Sequence, residues 1–340
     1  MALAYALEES HMWLTEKIHA PEIGWRWINS PPLTLQELRG RVVLVDFWDY
    51  TCVNCIRTLP YLAAWDRRYR PAGLSVIGVH APEFHFARDY ARIERAAREF
   101  GLAYPIVLDN EYQIWHAYAN RCWPAKYLVD SAGYVRYCHF GEGAYHETEE
   151  AIQKLIREIR LDASLPALME PVRGTDKPGA RCAPVTPELY LGFKRGHIAN
   201  SGGYASNEVK IYTLVTSLPE DVPCLDGPWF AGVEAITACP LENQPSRLLI
   251  RCRAAEVNLV MSPPEEASAL VELWVDGKPM PRELAGEDAE CSAGKCGVAV
   301  TAARMYRLLK SSNVESRLLE IRTSTPGLEA YAFTFVSCAE

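Results

Sequence analysis

Two cysteines three positions apart, Cys52 and Cys55 in Trp48-Asp-Tyr-Thr-Cys52-Val-Asn-Cys55, have the type and spacing that could do chemistry. A Cys-x-x-Cys pair is either half of a zinc site or a redox dithiol. Zinc needs a second pair at suitable spacing. The nearest, Cys291-Ser-Ala-Gly-Lys-Cys296, has a four-residue gap and falls in another domain, which favours the dithiol and no metal. The pair also sits between an apolar strand-like run and a helical stretch, placing Cys52 at a helix N-terminus. Unpaired N–H groups and the helix dipole there stabilise a thiolate. Cys52 is therefore expected to be the nucleophile, with a lowered pKa. Cys55, one turn further on and more buried, is expected to resolve the mixed disulfide.

Such a pair must be positioned by a strand and a helix, and residues 36–160 alternate the two as in a mostly parallel sheet covered by helices. Arg41-Val-Val-Leu-Val-Asp-Phe47 reads as a strand buried on both faces. A helix follows from Cys52 to about Tyr69, with Ile56, Leu59, Leu62 and Trp65 on one side. Further strands are expected at 73–80, 105–108, 125–129 and 134–140, with helices over 86–100, 112–119 and 145–160. The expected domain extends over 21–162, and residues 1–20 read as an extension or cloning remnant. A Pro- and Gly-rich linker follows over 163–186, then a β-sandwich over 187–340. Its strands are expected at 210–216, 247–252, 257–261, 269–275, 297–301, 318–322 and 330–336, with Asp276-Gly277 as a hairpin turn.

Val45-Asp46-Phe47-Trp48 ahead of the cysteine pair resembles thioredoxin. In that resemblance Asp46 matches the buried acid that assists proton transfer to and from the resolving cysteine. Pro60 matches the proline of the active-site helix, and Trp123-Pro124-Ala125 the cis-proline loop that faces the disulfide and pairs with substrate backbone. The wider set resembles the DipZ-type thioredoxin-like proteins: Ser30-Pro-Pro-Leu-Thr-Leu, Leu38-Arg-Gly-Arg-Val-Val-Leu-Val-Asp-Phe-Trp48, Ile56-Arg-Thr-Leu-Pro-Tyr61, Gly78-Val-His-Ala-Pro-Glu-Phe84, Trp123-Pro-Ala-Lys-Tyr-Leu-Val129 and His139-Phe-Gly-Glu-Gly143.

The resemblance implies an α/β thioredoxin-like fold with the TlpA and peroxiredoxin-type insertion. An all-β sandwich of jelly-roll or galactose-binding type, similar to a carbohydrate-binding module, is implied after it. It further implies a thiol–disulfide oxidoreductase without cofactor, acting on protein disulfides or dithiols. DipZ carries a membrane electron-transfer segment with no counterpart in these 340 residues. The expected reductant is thus a separate donor, of the thioredoxin-reductase or membrane DsbD kind.

Trp48 and Trp123 are expected to flank the disulfide and meet substrate, the alternative being core packing. Glu83 is either a second acid near the pair, in the TlpA manner, or a surface carboxylate. Cys122 is either a third redox thiol or a buried spectator. His80, His85 and His139 are dispersed and read as structural. A thiol peroxidase is a second reading, but peroxiredoxins place a Pro and a Thr or Ser upstream of the reactive cysteine. Here Asp49 occupies the hydroxyl position and no Pro precedes it. A third reading is a glycan- or protein-binding module: Gly227-Pro-Trp-Phe-Ala-Gly232, Tyr190, Tyr204 and Tyr212 could stack on a sugar, although aromatics in a sandwich are by default core.

The net charge of −8, with dispersed basic residues, excludes a nucleic-acid footprint. No apolar run approaches the roughly 20 residues needed to cross a bilayer, so no membrane insertion is expected. The first residues lack a basic leader, which reads as cytoplasmic; if Ser10-His11-Met12 marks a cloning junction, an extracytoplasmic location as in DipZ relatives is the alternative. In that case Cys291 and Cys296 could close a small disulfide loop, whereas in the cytosol they would stay reduced.

Overall fold

The computed structural model describes residues 11–24, 26–177 and 183–337, and the chain divides into units Met1–Ala180 and Arg181–Glu340. In chain order the first contains β1 (His11–His19), β2 (Trp27–Ile28), β3 (Val42–Trp48), α1 (Val53–Tyr69), β4 (Leu74–His80), α2 (Tyr90–Glu99), β5 (Ile106–Leu108), α3 (Gln113–Ala117), β6 (Ala125–Val129), β7 (Tyr134–Phe140) and α4 (Tyr145–Ile159). The sheet order is β1-β7-β6-β3-β4-β5-β2. β3, β4 and β5 run parallel and the other pairings are antiparallel. Between β4 and β6 the chain runs through two helices, α2 and α3, and the strand β5, one helix and one strand more than a single crossover needs, which is the expected insertion, and the α/β thioredoxin-like fold is present.

Every residue of β3 is buried because both faces of the sheet are covered. Successive side chains alternate. Val42, Leu44 and Trp48 pack with Leu59, Leu62 and Trp65 of α1 and Ile152, Leu155 and Ile156 of α4, while Val43, Val45 and Phe47 pack with Ile114, Trp115 and Tyr118. Each fully buried leucine of this kind contributes about 1.5–3 kcal/mol. By the same alternation Asp46 lies on the face beneath α1. The helix expected over 86–100 is divided: a 3-10 turn, His85–Arg88, precedes Asp89, whose side chain accepts the Arg92 N–H and starts α2.

Two expected boundaries move. Residues 11–19 are no loose extension: they form β1, paired from His11↔His139 to His19↔Tyr134. As an edge strand with Leu14 buried and Trp13 exposed, β1 carries little of the hydrophobic pattern that marks a strand; residues 1–10 lie outside the described residues. Nor is 163–177 a free linker. Ala163, Leu165 and Met169 pack on the core beneath α1 and α4. The Met169 N–H donates to Glu149 Oε2 (2.8 Å), the Val172 N–H to the Tyr61 hydroxyl (2.7 Å), and that hydroxyl to Asp176 Oδ2 (2.6 Å). Arg173 lies buried between Glu142 (2.9 Å) and Asp176 (3.0 Å).

The second unit is all β: β8 (Leu189–Tyr190), β9 (Val209–Tyr212), β10 (Cys224–Ala231), β11 (Ile236–Ala238), β12 (Ser246–Ser262), β13 (Ala269–Val275), β14 (Lys278–Pro279), β15 (Glu290–Ser292), β16 (Lys295–Val300), β17 (Arg304–Thr323) and β18 (Glu329–Val336). The strands expected at 247–252 and 257–261 are one 17-residue strand, β12, and 318–322 is the end of a 20-residue strand, β17. β12 pairs with β17 along both halves. Its first half also pairs with β10 and its second with β18, with register shifts at 254/256 and 257/258. Long strands that change partners at bulges let two layers share one core, as in a sandwich. Asp276 and Gly277 join β13 to β14 with φ of 50° and 77°, the expected hairpin turn.

Candidate active site

β3 delivers the chain into Asp49-Tyr50-Thr51, all buried, before α1 begins. The Asp49 carboxylate accepts the Thr51 N–H and hydroxyl (both 2.6 Å) and the Glu83 N–H (2.8 Å). It thereby ties the loop before α1 to the loop after β4. Cys52 caps α1, and its Sγ accepts the Cys55 N–H at 3.2 Å. Cys52 is partly exposed and Cys55 has no exposed surface; both are free thiols.

Burial raises both thiols above their ordinary pKa. For Cys52 the Cys55 thiol and then the Cys55 N–H oppose that rise, while the Glu83 and Asp49 carboxylates add to it. The expected net lowering at the helix N-terminus is therefore not found: burial and two acids outweigh the hydrogen bonds from Cys55. Cys55 is pushed well above its ordinary value by burial, then by Cys52, and Asp46 adds to the rise. The asymmetry leaves Cys52 as the thiol that meets solvent and ionises first.

Beneath the pair Asp46 is wholly buried, so it is not a solvated strand end. Burial pushes its carboxyl up to about 7, against the pull of the Lys126 ammonium. Asp46 and Lys126 are register partners across β3 and β6. Pro60 lies inside α1, which continues through it. The Trp123–Pro124 peptide bond is cis, and the Pro124 carbonyl accepts the Gly141 N–H at 2.8 Å.

Trp123 is partly exposed, donates its indole N–H to the Ala81 carbonyl (3.0 Å) and packs on Trp115 with ring centroids 4.4 Å apart. Trp48 corrects the expectation that both indoles meet substrate: it has no exposed surface and lies edge-on to His80 (5.1 Å), backing the site from within. Glu83 is partly exposed and its charge reaches Cys52. Cys122 is partly buried, with its Sγ 3.8 Å from the Pro124 carbonyl. His80 is buried, stacked on Tyr50 (5.7 Å) and 3.8 Å from Asp49, and burial holds its pKa down at about 3. Burial likewise lowers His139, to about 4. His85 is exposed.

Sequence reasoning missed Asp49 as the staple of the two loops, and Lys126. The available signal for Lys126 was a lysine inside an otherwise apolar strand neighbouring that of Asp46. In the second unit two of the five expected sugar-stacking aromatics, Tyr212 and Trp229, are buried, and three, Tyr190, Tyr204 and Phe230, are partly exposed. Tyr212 and Trp229 are buried in the core, Tyr204 packs against it, and Tyr190 is covered by the Arg195 guanidinium at 3.7 Å. Cys291 and Cys296, direct partners across the β15–β16 hairpin, form a disulfide. Among the described residues no group of three or more His, Cys, Asp or Glu side chains is placed to hold a metal ion, and no helix is long and apolar enough to cross a membrane.

Residues 19–138 match the AhpC/TSA family, and residues 186–335 match the family described as thioredoxin like C-terminal domain. Protein DipZ of Mycobacterium tuberculosis and that of Mycobacterium bovis are each 32% identical over 314 residues, covering 91% of this chain and 41% of theirs. The chain thus spans about two-fifths of the length of these curated relatives. The thiol-disulfide oxidoreductase YkuV of Bacillus subtilis is 25% identical over 132 residues, 39% of this chain and 88% of that protein.

Proposed function

We propose that this chain, which is similar to the DipZ-type thioredoxin-like proteins, is a thiol–disulfide oxidoreductase whose working groups are Cys52, Cys55 and Asp46. The observation that carries this reading is a partly exposed Cys52 at the head of α1, set over a wholly buried Cys55 and a buried carboxyl poised near neutrality. The Cys52 thiolate attacks one sulfur of a substrate disulfide, forming a mixed disulfide and releasing the other sulfur as a thiolate. Cys55 then gives its proton to the Asp46 carboxylate and attacks the Cys52 sulfur. The Cys52–substrate bond breaks, the second substrate sulfur leaves, and Cys52–Cys55 closes. Two electrons pass from the dithiol to the substrate.

Protein disulfides and dithiols are the proposed substrates, received against the Trp123–Pro124 loop, with Glu83 and Cys122 at its margin. A separate donor returns the enzyme to its dithiol. The closed Cys291–Cys296 disulfide favours an extracytoplasmic location, since such bonds persist in oxidising compartments; nothing supports the cytoplasmic expectation. Insulin reduction driven by dithiothreitol tests the proposal. Full activity in Cys52→Ser would overturn it, and peroxide consumption that survives Cys55→Ser would favour a peroxidase instead.

A further inference from the structure

Lys126 is the second residue of β6 and has no exposed surface, a rare place for a lysine. Its strand register sets it opposite Asp46 of β3 on one side and His139 of β7 on the other. Neither its Nζ nor either Asp46 carboxylate oxygen has a hydrogen-bond partner among the described residues, so the ammonium and the carboxyl are each other's principal electrostatic compensation. The other groups facing Lys126 are Cys55 from α1, Cys122 from the loop before β6, Glu142 from the loop after β7, and the Tyr145 ring of α4, whose centroid is 5.9 Å away. Glu142 is already engaged by Arg57 (2.7 Å) and Arg173 (2.9 Å). His139, held neutral by burial, adds no charge at neutral pH. The Lys126 charge is left to act on Asp46 and Cys55.

Resting on the exchange reaction proposed above, we propose that Lys126 is a positioning residue for it: its buried ammonium keeps the Asp46 carboxyl ionisable, so that Asp46 can take the proton from Cys55. In the resolving step the Cys55 S–H bond breaks, its proton moves to Asp46, and the sulfur electron pair forms the bond to Cys52 as the Cys52–substrate bond breaks. The departing substrate thiolate takes its proton from water. Lys126 favours the charged member on each side of that transfer, first the Asp46 carboxylate and then the Cys55 thiolate. Removing the ammonium leaves burial unopposed, so Asp46 stays protonated at neutral pH and the base is lost.

The test is Lys126→Met in the full chain, which keeps the length of the side chain and drops its charge. Two quantities are followed against pH: the Asp46 carboxyl resonance by carbon NMR, and the rate of insulin reduction. The Asp46 midpoint is expected to rise by about one unit or more, and the acid limb of the rate to move with it, lowering the rate at pH 7 about tenfold or more. An unchanged Asp46 midpoint overturns the proposal even if the rate falls, because a merely structural lysine would do that much. If the unsubstituted chain reduces no disulfide, the exchange reaction fails while the NMR titration still decides the coupling. Should Lys126→Met not fold, Asp46→Asn gives the converse reading by nitrogen NMR of the Lys126 ammonium. A lowered Lys126 midpoint supports the coupling and an unmoved one overturns it.

Discussion

The chain holds two cysteine pairs whose surroundings have almost nothing in common. Cys52 and Cys55 span the start of a helix, one partly open and one sealed, over a buried acid and a buried lysine. Cys291 and Cys296 face each other across a two-residue hairpin loop, flanked by the exposed Glu290, Ser292 and Lys295. The thiols are chemically alike, but only the first pair has a group beneath it that can hold a proton near neutral pH. Proton handling and access, more than the spacing of the sulfurs, separate a working dithiol from a staple.

That contrast can be broken most directly at the sulfurs. Cys52→Ser is expected to abolish insulin reduction, and Cys55→Ser to arrest the reaction at a substrate adduct on Cys52 visible by mass spectrometry; turnover persisting in either would erase the distinction. Next in size is Asp46→Asn. Loss of a positioned proton acceptor should slow the resolving step about a hundredfold or more, measured as single-turnover release of substrate thiol at pH 7.

The same substitution sharpens the contrast in stability. Asp46 titrates near 7 in the folded chain against an ordinary 3.8, so between these values the folded state holds a proton that the unfolded state has lost. Its contribution therefore declines as pH rises through that window. His80 works in the opposite sense: folded near 3 against 6.5, it loses stability as pH falls below 6.5, because the unfolded chain takes up the proton first. Asp46→Asn removes one group that opposes His80, and its urea midpoint should fall more steeply from pH 7 to pH 5 than that of the parent. Parallel curves would mean that Asp46 titrates normally. The smallest effect is expected at the staple: Cys291→Ala with Cys296→Ala should lower stability by about 2 kcal/mol in thermal unfolding, from loss of a short closed loop. Insulin reduction should stay within about twofold, since no proton-handling group is lost.

Much of the first unit was legible because its central strands are buried on both faces, and Val42–Trp48 and Leu74–His80 read as unbroken apolar runs. The cysteine pair, Asp46 and the proline loop were legible through local spacing. Of β17 only 318–322 was legible, since its 20 residues meet different layers along their length and alternate cleanly nowhere. β1 was hidden by the sparse pattern of an edge. The role of Lys126 was missed for a different reason: a lysine in a strand reads as solvent-facing even when its neighbours are apolar, and only pairing β6 with β3 sets it against an acid 80 positions earlier in the chain.

The docking of 163–177 bears on how the chain leaves the ribosome. A nascent chain that had emerged only to the end of α4 would contain every cysteine and proton-transfer group named in the first unit, yet would still expose the faces of Tyr61 and Glu149 that Val172 and Met169 later cover. Vectorial synthesis thus brings out the groups of the active centre before their outer brace, and the first unit is fully closed only as the second begins to appear.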